Sequence, residues 1–344
     1  MRWSKSLTMV EAHAEGEVGR VVTAGAPLIP GDSMLEKMNY LNEVDESLRR
    51  FLVLEPRGQA QMSTDLLLPS TRPDADVGFI VLQGDKAHAM SGSNTICVVT
   101  VLLETGRIPM KEPETIVRLD TPAGLVVAKA ACKDGKCLNV SLDMVPSFAV
   151  ETNVNLEVPG VGRVSADIAF GGVFYALVDP KTLGLKIEPS QARKLVHVGS
   201  EITRAFRQAY SVEHPQSPSL RGITYTMFVD HKNDGDMIGA TVIPPGRLDR
   251  SPCGTGNLAR LAVMHAKGEA KVGDSFCAFS TINSKFDVKI KEEVDVAGRR
   301  SIIPVVTGRG WIHGIHQVGL DPTDPYPKGF SISDCWGEAT DLLL

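Results

Sequence analysis

Two short segments carry side chains suited to acid–base chemistry, and they match each other. The first is Met90-Ser91-Gly92-Ser93-Asn94, continuing into the apolar stretch TICVVTVLLETG. The second is Pro252-Cys253-Gly254-Thr255-Gly256, continuing into NLARLAVMHAKG. Ser91 aligns with Cys253, Gly92 with Gly254, and Ser93 with Thr255. Gly106 and Gly268 follow at the same distance, each placed to end a helix. The two segments stand about half a chain apart, which is the pattern of an internal duplication with one nucleophile-type residue per half.

A hydroxyl or thiol at the start of a helix sits beside N–H groups that lack intrahelical partners and near the positive end of the helix dipole. Such a terminus binds a carboxylate and lowers the pKa of a thiol, so Cys253 reads as a base. Gly92 and Gly254 let a ligand approach the backbone, and Ser93 and Thr255 add hydroxyl donors. Two termini turned toward one another would clamp one carboxylate, with Ser91 and Cys253 flanking the adjacent carbon. That suits removal of a proton α to the carboxylate, where losing one preorganised donor costs about 3 kcal/mol. The competing readings are plain structure: Ser91 as an N-cap, and Cys253 as a packed thiol. The matched Gly-rich termini favour chemistry, because capping alone does not require them twice.

The elements that must hold these groups read as α+β. Strand patterns run over 20–24, 115–119, 124–128, 139–142, 225–229 and 288–290, with turn signals between them. Helical patterns cover 33–41, 95–104, 189–209 and 256–266. The loop-like EVPGVG at 157–162 predicts a boundary, giving a first half of 1–160 with Ser91 and a second of 161–324 with Cys253, the tail 325–344 packing back on the first.

Bulk properties exclude several partners. The formal net charge is −5, so no basic face is available for a phosphate backbone, and nucleic acid is excluded. No apolar run approaches the ~18 residues of a membrane span, and the N-terminal segment lacks a signal-peptide core, so a cytoplasmic protein with no membrane partner is expected. The six cysteines are too sparse for a disulfide framework, and Cys132 and Cys137, flanking KDGK, lack the further ligands a zinc site needs. Nucleotide motifs are absent. His88 reads as a strand end near the first segment. Asp230, His231, Asp234 and Asp236 form a polar loop that could line a pocket, and Trp311, His313 and His316 belong to a late strand.

Asp249-Arg250-Ser251-Pro252-Cys253-Gly254-Thr255-Gly256 resembles the second active-site motif of the proline racemase family, and Met90–Ile96 resembles the first. Further blocks agree along nearly the whole chain: His13 with Gly16-Glu17, Glu55-Pro56-Arg57-Gly58, Gly171-Gly172-Val173-Phe174-Tyr175-Ala176, and Asp324-Pro325. The resemblance implies two similar halves, each a mixed sheet or barrel curled around a central helix as in diaminopimelate epimerase, with the site in the cleft between. It implies chemistry without a cofactor or metal on a proline-like amino acid, and a homodimer. It assigns Ser91 and Cys253 as catalytic, Asp249 to the ring amine, and Gly92-Ser93 and Gly254-Thr255 to the carboxylate.

This chain departs from the family at Ser91, where racemases and epimerases usually carry a second Cys, and at Ser93, where a His usually follows the Gly. A hydroxyl is a far weaker base than a thiolate. The expected activity is therefore dehydration of trans-3-hydroxy-L-proline, a syn loss of the Cα proton and the 3-hydroxyl that needs one base and one proton donor. Cys253 is expected as base and Ser91 as donor, although the stereochemistry could reverse them. The alternatives are a 4-hydroxyproline 2-epimerase and a non-catalytic homologue that binds proline analogues.

Overall fold

The computed structural model describes residues 2–232, 235–337 and 339. The chain divides into two compact units. One comprises the residues up to Leu142 together with Gly308–Gly337, and the other is Asp143–Thr307.

In the first unit, strand Lys5–Ala14 lies between Glu17–Ala24 and Gly310–Leu320 and runs antiparallel to both. Glu17–Ala24 continues, parallel, to Met62–Leu68, which pairs antiparallel with Val77–Leu82. Val77–Leu82 leads in turn to Glu114–Thr121 and the hairpin strands Gly124–Lys133 and Lys136–Asp143. Helix Gly92–Glu104 packs against Lys5–Ala14, Glu17–Ala24 and Gly310–Leu320. Every residue from Gly92 to Leu103 is buried. A helix without a polar face has to be wrapped on all sides, and ICVVTVLL supplies no polar face. Close approach is built in at Gly310, where a Cβ would come within 2.5 Å of Thr100 Oγ1.

In the second unit, Phe148–Val158 and Gly162–Phe170 form a long hairpin. The sheet continues through Phe174–Val178, Ile223–His231 and Met237–Ile243, and then Ser275–Phe279, Lys285–Val296 and Arg299–Gly308. Helix Gly254–Ala266 packs against the Phe148–Val158 hairpin and its neighbours. A second helix, Ala192–Ala209, is amphipathic and buries Leu195, Gly199, Ile202 and Phe206 against Ile223–His231 and Met237–Ile243.

The mixed α+β class expected from the sequence is what the structure has, and each expected strand lies inside a longer one. The expected boundary at 157–162 is corrected. Those residues are the turn of a hairpin within the second unit, and the chain parts at Leu142–Asp143 instead. Pro-Gly marks a reversal of the chain equally well inside a sheet and between domains. The helices expected from Thr95 and Gly256 begin earlier, at Gly92 and Gly254. The segment 33–41 is a helix only over Met34–Asn39 and then widens into a π turn over Tyr40–Val44. All six cysteines are free, and Cys132 and Cys137 oppose one another across their hairpin. Among the described residues no helix is long and apolar enough to cross a membrane.

Candidate active site

In the first unit, Ser91 is the last extended residue before the helix, at φ −152° and ψ 129°. Its carbonyl accepts from the Thr95 N–H at 2.9 Å and from Thr95 Oγ1 at 2.7 Å. Its hydroxyl makes no capping bond to the helix backbone. The N-cap reading therefore fails for the side chain: Oγ is left for other partners. It lies 2.9 Å from the Asn94 carboxamide and 3.4 Å from Ser93 Oγ. Behind Asn94 sits the fully buried Asp65. Burial raises the Asp65 carboxyl well above its usual range, against a smaller opposing effect of the Arg20 guanidinium.

In the second unit, Cys253 occupies the equivalent position with a different backbone, φ +67° and ψ 100°. A non-glycine residue at positive φ costs on the order of 1–3 kcal/mol, and such strain clusters at functional sites. Its Sγ lies 3.5 Å from Tyr175 OH and 3.9 Å from Thr255 Oγ1, and those two oxygens are 2.7 Å apart. The loop before it is tied together in series. Ser251 donates through both N–H and Oγ to Asp249 Oδ1, each at 2.8 Å, and the Cys253 N–H donates to Ser251 Oγ at 3.1 Å. Asn257 Nδ2 donates to the carbonyls of Pro252 and Cys253 at 2.6 and 2.9 Å.

Two glycine contacts show how tightly this end of the helix is seated. A Cβ on Gly171 would lie 2.2 Å from the Thr255 carbonyl oxygen and 2.6 Å from the Ala259 nitrogen. A Cβ on Gly256 would lie 2.6 Å from Met227 Sδ and 3.1 Å from Cys253 Sγ. Gly256 stands at the position equivalent to Asn94. The two segments thus share a frame and differ in what backs the reactive atom. An amide and a buried acid stand behind Ser91; a phenol, threonine hydroxyls and a thioether surround Cys253.

The expectation that the helix terminus makes Cys253 a ready base is corrected. Burial, first, and the neighbouring Asp249 carboxylate, second, push the thiol up to about 12, against smaller opposing effects of Thr241, Tyr175 and the Gly256 backbone. Removing water from around a thiolate costs more than one helix end returns. Tyr175 is itself raised well above its usual value, chiefly by burial, so its phenol remains a donor.

Asp249, Cys253 and Thr255 therefore stand together in the second unit, and Ser91 and Ser93 in the first. Gly92 and Gly254 open the two helices. Sequence reasoning passed over Asp65, Asn94, Tyr175, Thr241 and Ser251 as site residues. Asn94 and Ser251 lie within the quoted motifs, Tyr175 within the GGVFYA block, and Asp65 is a lone acid in the apolar strand MSTDLLL, which is itself a signal. The other candidates are engaged elsewhere. His88 Nε2 bonds Asp85 at 2.9 Å, and Asp230 pairs with Lys181 at 2.6 Å. His231 Nε2 lies 3.2 Å from Arg260, and Trp311 stacks on His13 at 5.2 Å. His316 meets Glu11 at 3.1 Å, and Asp234 lies outside the described residues. Two distant blocks meet, because Arg57 pairs with Asp324 at 2.8 Å. Among the described residues no cluster of three or more His, Cys, Asp or Glu could hold a metal.

A hydroxyl and a thiol, each at the N-terminus of a buried helix packed against mixed sheet, define the class: an α+β protein with one such group in each unit. Residues 9–331 match the proline racemase family, and the chain belongs to it. It is 50% identical to a 4-hydroxyproline 2-epimerase of Agrobacterium fabrum, over 98% of each chain. It is similar, at TM-score 0.93 and 50% identity over 99% of this chain and 100% of the other, to the crystal structure of a hydroxyproline epimerase from Agrobacterium vitis with bound trans-4-hydroxy-L-proline. The fold extends to a phenazine biosynthesis protein of the PhzF family from Bacillus anthracis, at TM-score 0.58 and 10% identity over 92% of this chain and all of the other.

These relatives overturn the expected trans-3-hydroxy-L-proline dehydratase. Full-length relatives at half identity are named 4-hydroxyproline 2-epimerases, which are isomerases and not lyases. The dehydratase reading took Ser91 as an isolated hydroxyl, and the structure places an amide and a buried carboxyl behind it.

Proposed function

We propose that this protein is a 4-hydroxyproline 2-epimerase, interconverting trans-4-hydroxy-L-proline and its C2 epimer, cis-4-hydroxy-D-proline. The observation that carries this reading is the 50% identity over nearly the whole chain to epimerases of that name, one of them holding trans-4-hydroxy-L-proline. Inversion at C2 needs one group to take the proton from one face and a second to deliver a proton to the other. In this reading Ser91 and Cys253 are those two groups. The N–H groups of Gly92-Ser93 and Gly254-Thr255 take the carboxylate and stabilise the charge that builds on it as the Cα proton leaves. Asp249 takes the ring ammonium, a charge-assisted pair.

That pair also addresses the high thiol pKa. The Asp249 carboxylate is the second cause of the rise at Cys253. An ammonium seated on Asp249 cancels that charge, so binding the substrate itself brings the thiol toward ionisation. The shift is toward ionisation, while burial, the larger cause of the rise, stays in place.

The test is incubation with trans-4-hydroxy-L-proline in D2O, followed by chiral chromatography and proton NMR. The expected result is a mixture of the two C2 epimers with deuterium at Cα. Retention of configuration with no deuterium at Cα would refute the reading.

A further inference from the structure

Serine at position 91 poses a chemical problem, since a hydroxyl neither takes up a further proton nor releases its own near neutral pH. We propose that Asp65 supplies this capacity, storing and returning the proton that Ser91 exchanges with substrate, by way of the Asn94 carboxamide. The proposal rests on the epimerase reading. It makes Asp65 a positioning and proton-holding residue that acts through others, with Ser91 the group that meets substrate.

The geometry is a continuous chain. One end of the Asn94 amide lies 2.9 Å from Ser91 Oγ. The other end lies 3.2 and 3.3 Å from the two carboxyl oxygens of Asp65. Asp65 and Asn94 are both buried, in a space closed by Gly19, where a Cβ would come within 2.9 Å of the Asp65 carboxyl and 3.0 Å of the Asn94 amide. No other side chain fits there. Arg20 and Cys97 interact with Asp65, with Glu11 beside Arg20 and Glu17 beside Cys97. Arg20 spends its guanidinium on the carbonyls of Arg57 and Leu52 and on Thr64 Oγ1. Cys97 is held as a thiol by burial and by the acids beside it.

The orientation of the amide that satisfies both ends has Nδ2 toward Asp65 and Oδ1 toward Ser91, and the reverse orientation would require a protonated Asp65. With Asp65 protonated, its O–H donates to Asn94 Oδ1, and Asn94 Nδ2 donates to Ser91 Oγ. The serine proton is then directed away from the amide, and Ser91 is set to give a proton. With Asp65 ionised, Nδ2 donates to the carboxylate and Oδ1 accepts from the serine hydroxyl. The lone pairs of Ser91 are then available, and Ser91 is set to take a proton. In that second state the transfer balances. The Cα proton passes to Ser91 Oγ as the serine proton passes to Asn94 Oδ1 and an Nδ2 proton passes to Asp65. The electron pair of the broken C–H bond stays on the substrate carbon, Asn94 is left as its imidic acid, and the same three transfers run in reverse return the proton through Ser91 to substrate. Burial that raises the Asp65 carboxyl makes it able to hold that proton. The second unit has no such chain. Gly256 replaces the amide, and a thiol can carry its own proton.

The test is a double-mutant cycle on epimerisation rates, using Asp65→Asn and Ser91→Cys. General acid–base groups contribute about 10²–10⁴-fold. Asp65→Asn alone is expected to lower kcat by at least about a hundredfold with little change in KM. In the Ser91→Cys background the same substitution is expected to cost about threefold or less, since a thiol has no need of the relay. Equal losses in both backgrounds would mean that Asp65 only supports the fold, and the relay would be refuted. A second readout needs no turnover, so it separates failure of the relay from failure of the epimerase reading. Selective 15N-asparagine labelling, with the Asn94 side chain assigned through Asn94→Ala, follows that NH2 group against pH. Its resonance is expected to move with a midpoint above the ordinary aspartate range and to stand still in Asp65→Asn. A resonance that stands still in the unaltered protein would refute the relay even if the protein epimerises nothing.

Discussion

The state of Cys253 can be measured directly by alkylation. Its thiol is pushed up to about 12, first by burial and then by Asp249, from an ordinary value of 9.0. At about pH 8 an ordinary thiol is roughly one-tenth thiolate, and a thiol at 12 is roughly one part in ten thousand, so Cys253 should react about a thousandfold more slowly on ionisation grounds alone. Restricted access slows alkylation equally at every pH. The midpoint of the rate against pH therefore reports the pKa, and the absolute rate does not. The assay is iodoacetamide labelling over a pH series, resolved by peptide mass spectrometry. The exposed Cys335 serves as the reference thiol within the same chain.

The informative variant is Asp249→Asn. The amide keeps the size of the side chain and an oxygen for the Ser251 hydrogen bonds while the charge is lost. A like charge beside a thiol favours its neutral form, so removing it must lower the pKa. The midpoint should fall, which makes labelling faster at any pH below it. An unmoved or higher midpoint would break the link between Asp249 and the thiol, and with it the account of how substrate activates Cys253. A midpoint below 9 in the unaltered protein would show that burial does not control the thiol.

Three further outcomes follow from the same contacts. Cys253→Ser should lower turnover by at least about a thousandfold in both directions, measured as initial rates from each epimer, because the second unit has no amide–acid chain to support a hydroxyl; full activity would remove Cys253 from the chemistry. Asp65→Asn should leave the denaturant stability at pH 7 within about 1 kcal/mol of the unaltered protein, because an amide is the isostere of a protonated acid; a loss of about 3–5 kcal/mol would instead show an ionised Asp65 paired with Arg20. Gly171→Ala puts a methyl group 2.2 Å from the Thr255 carbonyl and should cost about 1–3 kcal/mol, seen as a lower melting temperature; an unchanged temperature would mean that the helix end shifts freely.

Much of this molecule is legible in its sequence, and the part that is not has a common cause. The strands show because alternation is local, and the central helix of the first unit shows because ICVVTVLL has no polar face to offer water. The matched helix starts at Ser91 and Cys253 show because duplicated spacing is a property of the string itself. The domain boundary does not show, since Pro-Gly at 159–160 bends the chain inside a hairpin as readily as between units. The thiol pKa does not show, because it depends on water excluded by strands far away in the chain, and local reasoning from the helix end gave the opposite direction.

The misread activity has the same origin. Basicity was assigned to Ser91 as a residue type, and a lone hydroxyl is indeed a poor base. Proton affinity in a buried site belongs instead to the connected group, and here that group runs from Ser91 through Asn94 to Asp65, residues on a helix and on a strand that sequence distance separates. In the relay proposed here, the serine works because its own unit lends it a second acid. By that argument the position to inspect in any serine-bearing relative is the partner three residues further on, and whether an acid lies buried behind it. A relative with serine at the first position, glycine three residues later and no buried acid should lack epimerase activity, and one that epimerises at full rate would show that the hydroxyl needs no help.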